Sequence, residues 1–220
     1  MEINTHHIVT PKTARYVTYG NLSSKTKYFW FVLHGSNMLA EQMLYKFKNF
    51  DPELHFVVSP EALSRFYVNG FGGEVVASWM TKRDRLEEID DFSNYCSTLY
   101  NQYLNKLSRD CKSIIIGFSQ GGVTAMRWLH NLKVEADFLI PYACWIPEDI
   151  DFKTAKTKFG KICKIFTYGE SDQFLNDQRL KEIKEILKAG NLDFHIEKYP
   201  GDHRIDKKHL QKIFKQYIEQ

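Results

Sequence analysis

Residues 112–130, "KSIIIGFSQGGVTAMRWLH", constrain this chain more than any other stretch. Ile114, Ile115 and Ile116 follow one another without polar alternation, so a strand here has to be buried on both faces. Gly117-Phe118-Ser119-Gln120-Gly121 comes next, and from there the apolar residues recur at helical spacing. A strand that becomes a helix within one residue lifts the Ser119 side chain to the top of a strained turn. The positions two before and two after must then be small, because their β-carbons would collide. The glycines make room for an exposed hydroxyl. The positive end of the following helix, with the N–H of Gln120, points where an oxyanion would develop.

A sheet strand buried on both faces implies partners of the same kind, and they are present. Residues 13–20, 27–35, 54–60, 137–146, 161–169 and 193–200 read as further strands. Between them, 40–47, 84–107, 120–132, 174–189 and 205–218 read as helices, the second with Leu86, Ile89, Phe92, Cys96, Leu99 and Tyr103 at spacings of three and four. This alternation predicts a single-domain α/β fold over 1–220, with a mostly parallel central sheet and helices on both faces. No repeat or Pro/Gly/Ser-rich linker divides the 220 residues. Residues 61–83 are aromatic and glycine-punctuated, and read as an irregular functional loop.

Charge and cysteine usage narrow the function. With 30 basic against 27 acidic residues, the balance does not point to nucleic acid or an anionic membrane. No apolar run approaches the roughly 18 residues of a membrane span, and the N-terminus lacks a basic-then-apolar leader. Cys96, Cys111, Cys144 and Cys163 are widely spaced, and three of them fall in or beside apolar runs, as buried thiols do. A cytoplasmic protein is expected. Nothing in the sequence fixes an oligomeric state.

A serine hydroxyl needs a base to become a nucleophile, and the base needs an acid to orient it. In parallel α/β sheets such groups sit in loops beyond the carboxyl ends of strands. Of the eight histidines, only His203, in "KYPGDHRID", occupies such a loop downstream of Ser119. His6, His7, His55, His130, His195 and His209 lie in the tail, in strands or on helices and read as structural or solvated. The acid falls to Asp172 in "FTYGESDQFLND", after the penultimate strand, with Glu170 a rival, Asp177 already on a helix and Asp202 directed elsewhere. The order Ser, Asp, His is that of α/β-hydrolases.

At these residues the chain resembles the phospholipase/carboxylesterase branch of the α/β-hydrolases, which includes the acyl-protein thioesterases, over about residues 28–216. "GFSQGG" (117–122), "YGESDQF" (168–174) and "GDH" (201–203) are similar to its serine, acid and histidine segments. "FVLHGSN" (31–37) is similar to its His-Gly loop, which puts the second oxyanion donor on the N–H of Ser36, beside that of Gln120, and gives His34 a part in shaping the loop. Where the family usually reads His-Gly-x-Gly-Asp, this chain reads His34-Gly35-Ser36-Asn37-Met38. "ASWM" (77–80) and "ACWIPED" (143–149) resemble the segments around the family's acyl pocket, and Trp79, Trp145 and Phe71 are candidate substrate contacts, with Phe66 and Tyr67 beside them. The resemblance implies hydrolysis of a small-molecule or lipid-like ester through an acyl-enzyme, with no metal or cofactor required and no stable membrane insertion. A short to medium acyl chain is expected, because the stretch from Trp145 to Lys161 is too short for a long lid. Open alternatives are an acyl-protein thioesterase or lysophospholipase, a peptidase on the same triad, and a non-catalytic binding protein of the same fold.

Overall fold

The computed structural model describes residues 1–131, 134–151 and 159–220. Its strands are β1 (Tyr16–Tyr19), β2 (Tyr28–Leu33), β3 (His55–Pro60), β4 (Ser64–Tyr67), β5 (Val75–Ser78), β6 (Lys112–Phe118), β7 (Phe138–Tyr142), β8 (Cys163–Gly169) and β9 (Phe194–Tyr199). Seven of them form one sheet in the order β1-β3-β2-β6-β7-β8-β9. Only β1 runs antiparallel to its neighbour; every other pair is parallel. The helices are α1 (Ala40–Leu44), α2 (Arg85–Leu104), α3 (Gln120–Asn131), α4 (Asp177–Ala189) and α5 (Lys207–Ile213), the last widening into a π-helical turn at Phe214–Ile218.

The unbroken apolar strands make sense once both faces are seen. Along β2, Phe29, Phe31 and Leu33 pack with Phe92, Leu99, Ala125 and Trp128 of α2 and α3. The alternate residues Tyr28, Trp30 and Val32 pack on the opposite face, with Met43, Phe47, Ile213 and Phe214. β6 divides the same way, Ile115 to one core and Ile114 and Ile116 to the other. Each such side chain contributes on the order of 1.5–3 kcal/mol through burial. Two cores therefore clamp the central strand and fix where it ends. Register places Gly117 between Leu33 and Pro141, so Ser119 emerges between the ends of β2 and β7.

Local chemistry sets the remaining boundaries. α4 begins at Asp177 rather than at 174, because Asn176 caps it by accepting from the Arg179 N–H at 3.0 Å. Asp206 does the same for α5, accepting from His209 N–H at 2.7 Å. The buried stripe of α2 starts at Ile89, with Leu86 left exposed in the first turn. Residues 61–83 are not irregular throughout: β4 and β5 pair as an antiparallel hairpin, Phe66 opposite Val76. All of β4 is exposed, so it carries no inward-outward alternation by which the sequence would announce a strand. The segment between Trp145 and Lys161, on which the expectation of a short acyl chain rested, lies partly outside the described residues. Among the described residues no helix is long and apolar enough to cross a membrane.

Candidate active site

Ser119 sits at the end of β6 with φ of 51°, a left-handed conformation that disfavours any side chain. Its N–H is held by Tyr142 O at 2.9 Å, and α3 starts at the next residue. A β-carbon at Gly117 would lie 2.2 Å from Gly121 O, and one at Gly121 would lie 2.3 Å from Leu33 O and 2.5 Å from His34 O. These are backbone atoms that cannot step aside. The steric argument for both glycines is thus met atom by atom.

The structure brings Ser119, His203 and Asp172 into one hydrogen-bonded line. Ser119 Oγ–H donates to His203 Nε2 at 3.0 Å, and His203 Nδ1–H donates to Asp172 Oδ2 at 2.7 Å. The Asp172 carboxylate is wholly buried, and its other oxygen accepts from Phe174 N–H at 2.9 Å. An acceptor-only group at Nδ1 puts the imidazole proton there and leaves Nε2 free to take the serine proton. Phe118 and Phe174 flank the imidazole at 4.9 and 4.6 Å between ring centres. The rivals are elsewhere: Glu170 pairs with Lys198 at 2.6 Å on the surface, and exposed Asp202 pairs with Arg204 at 2.9 Å.

Ser36 and Gln120 both line the cleft that contains Ser119. The loop carrying Ser36 departs from Gly-x-Gly at Asn37, and Asn37 has φ of 58°. Asparagine is among the few residues that tolerate this left-handed conformation, so the turn survives without the second glycine. Five further hydrogen bonds tie the loop down. Asn37 N–H donates to Ala77 O at 3.0 Å and Ala77 N–H donates to Met38 O at 3.1 Å, which joins the loop to β5. His34 is fully buried, its Nδ1–H donating to Gly35 O at 2.7 Å and its Nε2 accepting from Ala62 N–H at 3.0 Å. Burial lowers its pKa to about 4, which keeps it neutral for both bonds. Trp79 Nε1–H donates to His34 O at 2.9 Å.

Gln120 has a second part to play through its side chain. Its Oε1 accepts from Trp79 N–H at 3.0 Å and its Nε2 donates to Met80 O at 2.8 Å, so the start of α3 is riveted to the strand end that follows β5. Sequence reasoning placed Gln120 by its backbone alone. Nothing in the sequence pairs it with the hairpin, a contact made across 40 residues.

The cleft has a volume of about 450 Å³, and Val123, Trp145, Phe174, Leu175 and Arg179 wall it beside the serine. Of the aromatics expected to touch substrate, Trp145 is there. Trp79 instead lies buried behind the His34 loop, consumed by its hydrogen bond and by ring contact with His34 at 5.1 Å. Phe71 stands fully exposed at the hairpin tip, outside the cleft lining. Gly70 and Gly72 on either side have φ of 83° and 86° and open space around them, so the tip turns away from the body. Phe66 and Tyr67 are likewise exposed on β4. The lining residues that sequence reasoning misses include Val123, Phe174, Leu175 and Arg179. Phe174 and Leu175 were read as helix but fall in the turn before α4, where Leu175 N–H closes on Asp172 O at 3.1 Å.

Similarity to known proteins agrees with this geometry. No curated protein sequence matches the chain significantly. Among solved structures, it is similar to acyl-protein thioesterase 2 of Zea mays, with a TM-score of 0.68 and 18% identity over 92% of this chain and 97% of that one. A phospholipase/carboxylesterase from Dyadobacter fermentans gives a TM-score of 0.66 and 16% identity, covering 94% and 98% of the two chains. The Bacillus cereus carboxylesterase gives 0.63 and 15%, covering 93% of each. At such identities the likeness is one of fold. The sequence model described as phospholipase/carboxylesterase, however, matches residues 25–219. That span takes in the serine corner, the acid turn and the histidine loop together, and the chain belongs to the phospholipase/carboxylesterase family, an α/β-hydrolase of the ester-hydrolysing type.

Proposed function

We propose that the protein is a serine carboxylesterase that hydrolyses short- to medium-chain acyl esters through a Ser119–His203–Asp172 triad. Ser119 Oγ attacks the ester carbonyl while His203 Nε2 takes its proton. The tetrahedral oxyanion is held by the N–H groups of Ser36 and Gln120. Collapse breaks the carbon–oxygen bond to the alcohol, which leaves with the proton from His203, and Ser119 carries the acyl group. Water then attacks the acyl-enzyme, gives its proton to His203, and the free acid departs as that proton returns to Ser119. Asp172 holds the required tautomer and stabilises the imidazolium.

The observation that carries this reading is the unbroken line of hydrogen bonds at 3.0 and 2.7 Å from the strained serine to a buried carboxylate. The cleft supports an acyl substrate: about 450 Å³ walled by Val123, Trp145, Phe174 and Leu175 offers an apolar surface beside Ser119. The test is hydrolysis of p-nitrophenyl esters from acetyl to palmitoyl by the wild type and Ser119→Ala. Turnover is expected to peak at short to medium chains and to vanish in the variant, whose melting temperature stays close to wild type. Full turnover in Ser119→Ala, or none at any length in the folded wild type, would overturn the proposal. Rates climbing steadily to palmitoyl would overturn the chain-length assignment.

A further inference from the structure

Arg179 is the one residue with a permanent charge among the described residues that line the cleft. It is held there by several independent contacts. Its backbone N–H is bonded by the cap residue Asn176 at 3.0 Å, one guanidinium nitrogen donates to Phe174 O at 2.9 Å, and the guanidinium lies over the Trp145 ring at 5.6 Å. That bond to Phe174 is the only hydrogen bond its side chain makes among the described residues, so most of its five N–H groups are unused. Acids of α4 and of segments that flank cleft residues are engaged elsewhere. Glu182, one turn along α4, accepts from Gln178 at 2.8 Å; Asp149 takes the Arg127 guanidinium at 2.7 Å; Asp172 belongs to His203. No carboxylate among the described residues comes within ion-pair distance of Arg179.

A surface arginine on a helix is normally mobile and loses rotamer freedom when it binds. This one is stacked and tethered before any ligand arrives, and its fork is suited to bidentate pairing with a carboxylate. We propose that Arg179 is a specificity-determining residue that selects esters bearing a carboxylate, an inference that rests on the esterase reading above. The carboxylate sits on the acyl or the leaving portion of the substrate, at the end that reaches the Trp145 wall. Arg179 takes no part in the chemical step, so it acts on KM more than on kcat.

The experiment compares matched pairs in the wild type, Arg179→Met and Arg179→Lys. On the acyl side the pair is p-nitrophenyl hydrogen glutarate and its methyl ester; on the leaving side, para-(acetoxymethyl)benzoate and its methyl ester. The readout is the ratio of kcat/KM for acid over methyl ester within each enzyme, which is independent of any general loss caused by the substitution. In one of the two pairs that ratio is expected to fall about tenfold in Arg179→Met, mostly through KM, and only partly in Arg179→Lys, as loss of a partly exposed charged partner implies. The pair affected identifies which portion carries the charge. A ratio within twofold of wild type for both pairs overturns the inference. Should the wild type hydrolyse no ester at all, the esterase reading fails, and calorimetric titration of glutarate decides the anion site separately. Binding that weakens about tenfold in Arg179→Met supports it, and no binding to the wild type overturns it.

Discussion

Asp172→Asn isolates what the buried carboxylate does, because the substitution keeps the shape and the bond from Phe174 N–H to Oδ1. The amide nitrogen then faces His203 Nδ1 across the present 2.7 Å contact. Two donors cannot share that space, so the imidazole moves its proton to Nε2, and Nε2–H points at Ser119 Oγ with no lone pair left to accept. Reaching the productive tautomer costs about 1–3 kcal/mol for a buried donor left unpaired. The imidazolium formed in the transition state also loses its counter-charge, worth about 4 kcal/mol for unit charges about 4 Å apart at an effective dielectric constant of about 20. Together these come to about 5–7 kcal/mol, a fall in kcat of about 10⁴- to 10⁵-fold. The assay is steady-state hydrolysis of p-nitrophenyl butyrate with a thermal melt beside it. A folded variant that loses less than about tenfold in kcat would refute the reasoning, since the charge argument alone requires a larger effect.

The other expectations concern stability. In Gly121→Ala the new methyl meets Leu33 O at 2.3 Å and His34 O at 2.5 Å, and β2 must shift to admit it. A loss of about 1–3 kcal/mol and a lowered melting temperature should accompany reduced kcat, and unchanged stability in urea would contradict it. His34 and His55 are buried and neutral, each with its pKa lowered by burial from 6.5 to about 4. Between pH 6.5 and 4 the unfolded chain binds these protons and the folded chain does not, so stability falls as pH falls through that window and the loss is complete below about 4. Each histidine should remove about 2 kcal/mol by pH 5. Urea midpoints at pH 7 and pH 5 measure this, and His55→Gln should flatten the difference; an unaltered slope in that variant would contradict the assignment.

What could be read from the sequence was whatever local sterics or period determine. The Ser119 corner is legible because a strained turn forbids β-carbons at Gly117 and Gly121, Asp172 because it follows an apolar run that reads as a buried strand, and His203 because it alone of the histidines lies in a loop after a strand downstream of Ser119. The β4–β5 hairpin was not legible: its strands have four residues each and β4 shows solvent on both faces, so no alternation survives. The aromatic roles of Trp79 and Phe71 failed for a related reason. Residue type says that a ring will be used, whereas its use depends on which loop covers it. Trp79 spends its N–H on the His34 carbonyl, and Phe71 sits between two left-handed glycines that carry it away. Arg179 was invisible because a charged residue on an exposed helix face has solvent as its ordinary destination.

These gaps share a physical origin, and it bears on the proposed oxyanion donors. Ser36 lies on a loop whose shape depends on Asn37 holding a left-handed turn, on the backbone pairing of Asn37 and Met38 with Ala77, and on Trp79 gripping His34. Gln120 lies at the start of a helix that its own side chain fastens to Trp79 and Met80. Residues 77–80 are therefore common to both donors, and they enter the site from the foot of the hairpin. In a chain that keeps the second glycine, the loop reaches its turn without steric opposition. Here an asparagine reaches it against a modest steric cost, and the pairing with Ala77 offsets that cost. The spacing between Ser36 and Gln120 is thus set by hairpin residues distant in sequence from both. The part of this site least visible in the sequence is the part that holds its electrostatics in place.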